Sequence, residues 1–444
     1  MTERRRDAWV AFAVGLSLRL AVVAWARGRF APVEDGHYYD LLARRLANGD
    51  GYTWLWPDGV VTYAAHYPVG YPAMLAAAYV AFGASNAVAM AVNSLLGAAS
   101  VFAAHRLVDR PDGPRWRPLA AALVVALHPA LVPYTAALMT EGVTASLLVV
   151  ATAIANRART PGREWSLLAT GILMGVATLV RPQSLLLAPV LGALAAPASV
   201  GVSRRFARAA AVAAIAIVCV APWTARNCVR MGRCALVSVN GGWNLLIGAT
   251  TTSGGWERVT VPPPCATIWD EAKKDSCFQR AAYAAILSAP GPWLARAPGK
   301  VAMTLDYFGA GPWYLHASNG DGFGAGPKLA LQIIETIASR LLLLGALVAC
   351  ARLPGRRSGV RKVVSLAGAA AALTTHGWLG YGAIPVSFML LGSRAAMRAP
   401  MVVGSAAAAI AETASVHAVF FGAGRYGLVV APLVAVLAFA RSQR

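Results

Sequence analysis

The sequence predicts an all-α protein that crosses a membrane many times. Of its 444 residues, 57% are hydrophobic and only 13% are charged, and the mean hydropathy is +0.55. Ordinary soluble domains carry about 25% charged residues, so this composition is typical of a membrane protein. Apolar runs long enough to cross a bilayer as helices recur along the chain, which indicates a polytopic protein.

The net charge of +21 would suggest a nucleic-acid partner in a soluble chain. Here the arginines fall largely in short connectors between apolar runs, where basic residues set the orientation of the spans. The lipid bilayer is therefore the predicted surroundings, and no nucleic-acid partner is predicted.

Apolar runs of about 15 to 22 residues predict about twelve spans. The first is taken as a retained span, because no small-residue cleavage site follows it as in a signal peptide. The run 363–393 is divided in two, since two spans keep the basic cluster that follows it on the same side as the other basic connectors. The predicted spans are 8–26, 86–107, 118–135, 138–156, 166–181, 183–200, 208–224, 328–350, 363–378, 380–393, 401–421 and 426–441.

The basic connectors all fall on the same side as the N-terminus in this arrangement. By the positive-inside rule that side is the cytoplasm, so both termini are predicted to be cytoplasmic. The connectors are 110–117, 157–163, 204–208, 352–362, 394–398 and the tail 441–444.

Two long segments remain outside, the first outer segment (27–85) and the second outer segment (226–327). They divide the chain into an N-terminal transmembrane module (1–225), an extracytoplasmic subdomain (226–327) and C-terminal transmembrane helices (328–444). In the first outer segment, the apolar residues of 38–46 recur at helical spacing, which predicts a surface helix ending at Gly49.

In the second outer segment, the pair Gly241-Gly242 and the three prolines of 262–264 predict a loop-rich stretch. Two amphipathic helices are predicted to follow it, over 270–288 and 292–307. Four of the six cysteines also lie in this segment, where disulfides can form. We predict Cys228 with Cys234 and Cys265 with Cys277, although the spacing alone leaves the pairing open.

Short polar motifs follow one another at the ends of the predicted spans. Their succession resembles the glycosyltransferase-C superfamily, and more closely the branch that contains protein O-mannosyltransferases and lipid A aminoarabinose transferases. The motifs are Asp35-Gly-His-Tyr-Tyr39, His66-Tyr-Pro-Val-Gly-Tyr-Pro72, His128-Pro129, Met139-Thr-Glu141, Leu179-Val-Arg-Pro182, Ala221-Pro-Trp-Thr-Ala-Arg-Asn227 with Asn240-Gly-Gly-Trp-Asn-Leu245, and Gly424-Arg-Tyr426.

The resemblance implies a glycosyltransferase-C-like bundle with interfacial helices and a small extracytoplasmic subdomain, in a bacterial inner membrane. It also implies an enzyme that takes a sugar from a polyprenyl-phosphate carrier and transfers it with inversion. The acceptor, whether lipid, glycan or protein, is not identified.

In the family, an Asp of the first outer loop acts on the acceptor, and Asp35 matches its D-x-x-Y-Y setting, which ends on Tyr39. Family members often follow this Asp with Glu. Here Gly36 follows and Glu34 precedes, so which carboxylate is the base stays open. The residues alone leave a second role open for Asp35, since Asp is also a favoured N-cap for the surface helix.

The chemistry of such a reaction needs few groups. A lipid phosphate leaves as an anion, so the reaction requires a base for the acceptor proton and cations for the phosphate. Arg425, with Tyr426 beside it, matches the Arg-Tyr pair that the family places near the carrier phosphate. Arg181 and Arg226 are further candidates, because Arg holds phosphate in a bidentate fork. Arginines and tyrosines at span ends are also ordinary interfacial anchors.

Two further residues are predicted to support the site. Glu141 starts a span, where a carboxylate favours the positive helix terminus, but in the family an acid here faces the active-site cavity. His66 precedes the Pro-Gly-Tyr-Pro element, where family members carry a basic residue. His37 could join Asp35 as a metal ligand, but no complete set of ligands is visible. No obligatory metal or other cofactor is predicted, and a divalent metal is left open.

Two other classes of membrane protein compete with this interpretation. A transporter or flippase also has many spans, but its polar residues usually lie near the bilayer midplane on broken helices, often in two repeated halves. A lipid-linked glycan ligase or polymerase usually relies on a large outer loop late in the chain. The acids that gather in the outer segments favour the transferase.

Overall fold

The structure, a computed structural model, describes residues 2–306, 309–355 and 357–441. These residues form a helical protein with one small two-stranded sheet, β1 (Thr53–Leu55) and β2 (Val61–Tyr63). The helices are α1 (Glu3–Ala26), α2 (Asp35–Ala47), α3 (Gly70–Phe82), α4 (Asn86–Val108), α5 (Trp116–Ala126), α6 (Thr140–Arg157), α7 (Trp165–Val180), α8 (Leu187–Leu194), α9 (Val202–Met231), α10 (Gly241–Thr250), α11 (Pro263–Ala266), α12 (Glu271–Ser288), α13 (Pro290–Ala295), α14 (Ala297–Leu305), α15 (Ala310–Ser318), α16 (Ala325–Ala351), α17 (Ser358–Ala372), α18 (Trp378–Met389), α19 (Ser393–Arg398), α20 (Met401–Val419) and α21 (Ala431–Leu437).

Five helices of the described chain, α1, α4, α9, α16 and α20, are long and apolar enough to cross a membrane. Shorter apolar helices, including α3, α5 and α7, accompany them. The chain is therefore an all-α, multi-pass membrane protein, as the composition predicts. Helices α1, α4, α6, α7 and α9 pack in succession, and α20 lies against both α6 and α8.

Three predicted spans contain a short 3-10 helix, and a proline lies at or near each junction. The run 118–135 is helical only to the end of α5, after which Pro133 starts a short 3-10 helix (Pro133–Ala136). The run 183–200 begins as a 3-10 helix (Pro182–Leu186) and then becomes α8, which ends at Leu194. Proline lacks a backbone N–H and disfavours helical geometry in the residue before it.

The last predicted span, 426–441, also divides. It begins as a 3-10 helix (Gly424–Val429) and continues as α21, which has a proline in its first turn. The run 363–393 forms two helices, α17 and α18, as predicted.

The first outer segment contains the predicted surface helix and two elements that the sequence reading missed. Helix α2 ends at Ala47, and Gly49 follows with a φ of +85°. A β-hairpin then pairs Thr53 with Tyr63 across the turn 57–59. The end of the motif that contains His66 begins α3 at Gly70. Pro72 fits the first helical turn because N–H groups there have no partner within the helix, so the missing N–H costs no hydrogen bond.

The second outer segment differs from its prediction at the double glycine. Gly241 and Gly242 begin α10 instead of breaking the chain, because Asp275 Oδ1 of α12 accepts hydrogen bonds from the N–H groups of Gly242 and Trp243 at 2.7 and 3.1 Å. A Cβ on Gly242 would lie 2.0 Å from the Asp275 carbonyl oxygen, so this close approach requires glycine.

The remaining predictions for this segment hold in part. Helix α12 matches the predicted 270–288, with Asp270 as its N-cap. The predicted helix 292–307 is instead two short helices, α13 and α14, and its last residue lies outside the described residues. Both predicted disulfides, Cys228–Cys234 and Cys265–Cys277, are present.

Candidate functional site

Asp35 is the first residue of α2, and its carboxylate lies at the centre of a polar site. Asp35 Oδ2 pairs with Arg425 Nη1 at 2.8 Å, and the Tyr67 hydroxyl donates to Asp35 Oδ1 at 3.1 Å. The Asp35 side chain remains 31% exposed and that of Arg425 26% exposed. Glu34, and not Asp35, occupies the N-cap position of α2. The partners of the Asp35 carboxylate are the side chains of Arg425 and Tyr67.

A second carboxylate, Glu141, is more deeply buried than the first, with 2% of its side chain exposed. Glu141 Oε1 pairs with Arg181 Nη1 at 2.9 Å and lies 3.6 Å from Arg425 Nε. Its other oxygen accepts from the Tyr134 hydroxyl at 2.8 Å. Asp35, Glu141, Arg181 and Arg425 thus form one connected group, here called the Arg–carboxylate cluster.

Tyr426 gives the two arginines a common aromatic neighbour. The guanidinium carbons of Arg181 and Arg425 lie 5.0 and 5.1 Å from the centre of its ring, within the range of cation–π attraction. His417 of α20 stacks on the same ring at 4.1 Å. The ring is therefore a shared neighbour of the two guanidinium groups that contact Glu141.

Four distant stretches of the chain meet in this cluster, and each contributes a helix end. Asp35 begins α2, Glu141 lies in the first turn of α6, and Arg425 lies in the 3-10 helix 424–429. Arg181 follows α7 in an extended conformation because Pro182 disfavours helical geometry in the residue before it. The cluster therefore collects at one end of the helical bundle.

The electrostatic surroundings keep Asp35 ionised. Burial alone would raise the pKa of its carboxyl, but the Arg425 guanidinium and the Tyr67 hydrogen bond outweigh burial and lower the pKa below its usual value. Burial and the adjacent Asp35 raise the pKa of the Tyr67 phenol, so that group stays neutral and able to donate. Asp35 is thus an anion at neutral pH with an oxygen that can accept a proton.

The other predicted residues lie around the cluster and not within it. Tyr39 is buried and packs edge-on against Tyr67, with ring centres 5.1 Å apart. The His66 ring packs edge-on against the same tyrosine at 5.0 Å. Glu34 is exposed, with a φ of +52° that favours glycine.

Arg226 is separate from the cluster. Its guanidinium donates to the carbonyl oxygens of Ala64 and Tyr52 at 2.8 and 2.9 Å and lies near the rings of Tyr63 and Trp223. These contacts connect α9 to the first outer segment, so Arg226 holds that segment in place.

Two tyrosines of the site are absent from the sequence-based set. Tyr67 is part of the motif quoted for His66, so the motif itself carried the signal. Tyr134 lies in the 3-10 helix 133–136, within a stretch read as an unbroken span, where the sequence gives no signal for a polar role. Tyr67 also stacks on the exposed Tyr38, with ring centres 5.3 Å apart, which forms an aromatic surface beside Asp35.

In residues 2–306, 309–355 and 357–441, no three His, Cys, Asp or Glu side chains are grouped closely enough to hold a metal ion together. Asp35 and Glu141 each have an arginine as their nearest charged partner.

Comparison with known proteins gives a likeness to solved structures alone. No protein-family model matches the chain, and no curated protein matches it. Crystal structures of ArnT from Cupriavidus metallidurans are similar to it, one in the apo state with 14% identity and a TM-score of 0.43, and one bound to undecaprenyl phosphate with 16% identity and a TM-score of 0.40. Each match covers 97% of this chain and 76% of that one. At these values the likeness carries no information on substrate or reaction.

Proposed function

We propose that this protein is an inverting glycosyltransferase of the bacterial inner membrane, with both termini in the cytoplasm. It moves a sugar from a polyprenyl-phosphate carrier to an acceptor on the extracytoplasmic face. The observation that carries the proposal is the meeting of Asp35 with Arg425 and, through Glu141, with Arg181 at one end of the bundle. These residues come from four separate motifs of the family that the sequence resembles.

In the proposed reaction, a hydroxyl or amine of the acceptor attacks the anomeric carbon of the donor sugar. Its proton passes to an oxygen of Asp35, the bond between the anomeric carbon and the phosphate oxygen breaks, and the prenyl phosphate leaves with the bonding electrons. A positioned base typically contributes about 10²- to 10⁴-fold to such a rate. The Asp35 carboxylate is unprotonated at neutral pH, as this role requires, although the contacts that lower its pKa also make it a weaker base until they are released.

The two arginines of the cluster are the proposed phosphate contacts. Arg425 is half-buried and pairs with Asp35 at 2.8 Å, so a phosphate oxygen that binds Arg425 competes with Asp35 for the same guanidinium. Donor binding would then release the Asp35 carboxylate for the acceptor. Glu141 and Tyr426 hold both arginines in position.

The remaining predicted residues have supporting roles in this proposal. The rings of Tyr39 and His66 pack against Tyr67, which donates to Asp35, and Glu34 directly precedes Asp35 in the chain. Arg226 acts indirectly, because its hydrogen bonds go to the backbone of the first outer segment.

The test begins with the purified full-length protein. Mass spectrometry of copurifying lipids should find a prenyl-phosphate hexose or pentose. In proteoliposomes, Asp35→Asn should abolish transfer from that donor while abundance and melting temperature stay near the wild-type values. Asp58→Asn is the matched control, because Asp58 is an exposed acid of the same outer segment.

Two outcomes would overturn the proposal. Wild-type transfer rates in Asp35→Asn would remove the base from it. Movement of a soluble solute across the vesicles, without any transfer, would replace the enzyme with a transporter.

A further inference from the structure

One carboxylate of the second outer segment receives three hydrogen bonds from the first outer segment. Glu271 is the first residue of α12, and its Oε2 accepts from the backbone N–H groups of Ala65 and His66 at 2.6 and 3.0 Å. Its Oε1 accepts from the indole N–H of Trp54 in β1. A single side chain thus joins α12 to both the hairpin and the irregular stretch that follows it.

The same short stretch, residues 64–67, forms hydrogen bonds through most of its backbone N–H and carbonyl groups. The Ala65 carbonyl accepts from Val239 N at 2.8 Å, and the Ala64 carbonyl accepts from Arg226 Nη1 at 2.8 Å. The Tyr67 carbonyl accepts from the Tyr52 hydroxyl at 2.8 Å. Together these bonds fix the backbone immediately before the Tyr67 side chain.

Capping of α12 does not explain Glu271. The N-cap is Asp270, whose Oδ1 accepts from Lys273 N at 2.8 Å. All three donors to Glu271 that the described residues supply lie instead in the first outer segment. Hydrogen bonds to a charged acceptor are stronger than neutral ones, so this carboxylate is suited to holding the segment.

We propose that Glu271 is a positioning residue that sets the distance between the Tyr67 hydroxyl and Asp35. This inference rests on the proposed function, in which Asp35 is the base. Glu271 acts through the backbone of Ala65 and His66 and does not itself touch a substrate. The active site is therefore completed by the second outer segment.

The consequence appears in the titration of Asp35. The charged and titratable groups that face Asp35 are Arg425 from the 3-10 helix 424–429, Tyr67 and His66 from residues 64–67, Tyr39 from α2 and Tyr314 from α15. Loosening residues 64–67 weakens the contributions of Tyr67 and His66, both of which lower the pKa of Asp35. Without them the pKa rises, and the acid limb of the rate–pH profile moves to higher pH.

The experiment compares rate–pH profiles for transfer by the wild type, Glu271→Ala, Tyr67→Phe and the double variant. Each single variant should move the acid limb upward by about half a pH unit or more. The double variant should shift by less than the sum of the two single shifts, because Tyr67→Phe already removes the hydrogen bond that Glu271 positions. Glu271→Gln, which keeps one oxygen acceptor, should show a smaller shift than Glu271→Ala.

Lys273→Ala is the matched control, because Lys273 is an exposed residue of the same helical turn. Backbone amide exchange supplies a second measurement that needs no transfer. Ala65 and His66 should lose protection in Glu271→Ala and keep it in Lys273→Ala.

The outcomes separate the two proposals. No transfer by the wild type would defeat the proposed function itself. A wild-type profile in active Glu271→Ala, or shifts that add in the double variant, would overturn the positioning role. Unchanged amide exchange at residues 65 and 66 in folded Glu271→Ala would overturn it as well.

Discussion

At the scale of single residues, the state of Asp35 is decided by a competition between burial and its partners. Burial favours a neutral carboxyl, whereas Arg425 and Tyr67 favour the anion and prevail. The same arginine also approaches the deeper Glu141 at 3.6 Å. Arg425 therefore connects an accessible acid to a buried one, and its removal should affect both.

Replacement of Arg425 by Ala should weaken carrier binding more than tenfold, because a hydrogen bond between charged groups, worth about 1.5–3 kcal/mol, is lost. Binding of undecaprenyl phosphate, followed by native mass spectrometry, measures the change. Arg280→Ala is the matched control because Arg280 is exposed on α12. Equal carrier affinity in Arg425→Ala and the control would exclude Arg425 as a phosphate contact.

Glu34 holds a backbone conformation that side chains disfavour, with a φ of +52° and a ψ of −135°. Such a conformation costs about 1–3 kcal/mol in a residue with a Cβ, and glycine avoids most of that cost. Glu34→Gly should therefore melt at a higher temperature than Glu34→Ala.

The matched pair for this comparison is Lys273→Gly and Lys273→Ala in the ordinary helix α12. There the order should reverse, because glycine in a helix is about 1 kcal/mol less favourable than alanine. The same order at both positions would show that residue 34 is unstrained.

At the scale of elements, the site depends on where helices stop. Pro182 ends α7 so that Arg181 is extended, and the 3-10 helix 424–429 carries Arg425 beside it. Helix α12 contributes from the second outer segment, where the Cys265–Cys277 disulfide joins it to α11. The geometry of the site therefore relies on short elements that are fixed by prolines, caps and cross-links.

Replacing both Cys265 and Cys277 by Ser should destabilise the second outer segment by about 3 kcal/mol, the amount expected for a closed loop of this length. Proteolysis of the segment under native conditions measures the loss. Cys219→Ala is the control, because Cys219 is a free cysteine in α9.

In the native protein, Cys234 and Cys277 should resist thiol reagents until a reductant is added; labelling without reductant would contradict both disulfides.

The sequence predicts long elements better than short ones, for physical reasons. Hydrophobic runs located α1, α4 and α16 closely, because lipid demands an unbroken apolar surface. The same runs hid the breaks before Pro133 and Pro182. The start of α10 was misread because its stabilising cap, Asp275, comes from a different helix.

The candidate site was predictable to a similar extent. Asp35, Glu141, Arg181 and Arg425 belong to recognisable motifs, and the structure brings them together. Tyr134 and Glu271 reach the site only through tertiary contacts, which a linear pattern does not contain.

At the scale of the whole molecule, the proposal requires that both outer segments face away from the cytoplasm. Val60, exposed in the hairpin turn, should then be accessible as Val60→Cys to a membrane-impermeant thiol reagent in intact cells. Asp112→Cys, in a basic connector, should react only after permeabilisation. The reverse pattern would put Asp35 on the cytoplasmic side and remove the basis of the proposed reaction.

The pairing of two guanidinium groups with two carboxylates at the centre of the site has a further consequence. Their formal charges sum to zero before any ligand arrives. A bound monoanionic phosphodiester would give the Arg–carboxylate cluster a net negative charge, which low-dielectric surroundings disfavour. Carrier binding should therefore be accompanied by uptake of a proton or a small cation from the medium. A binding enthalpy that varies with the ionisation heat of the buffer would reveal the proton.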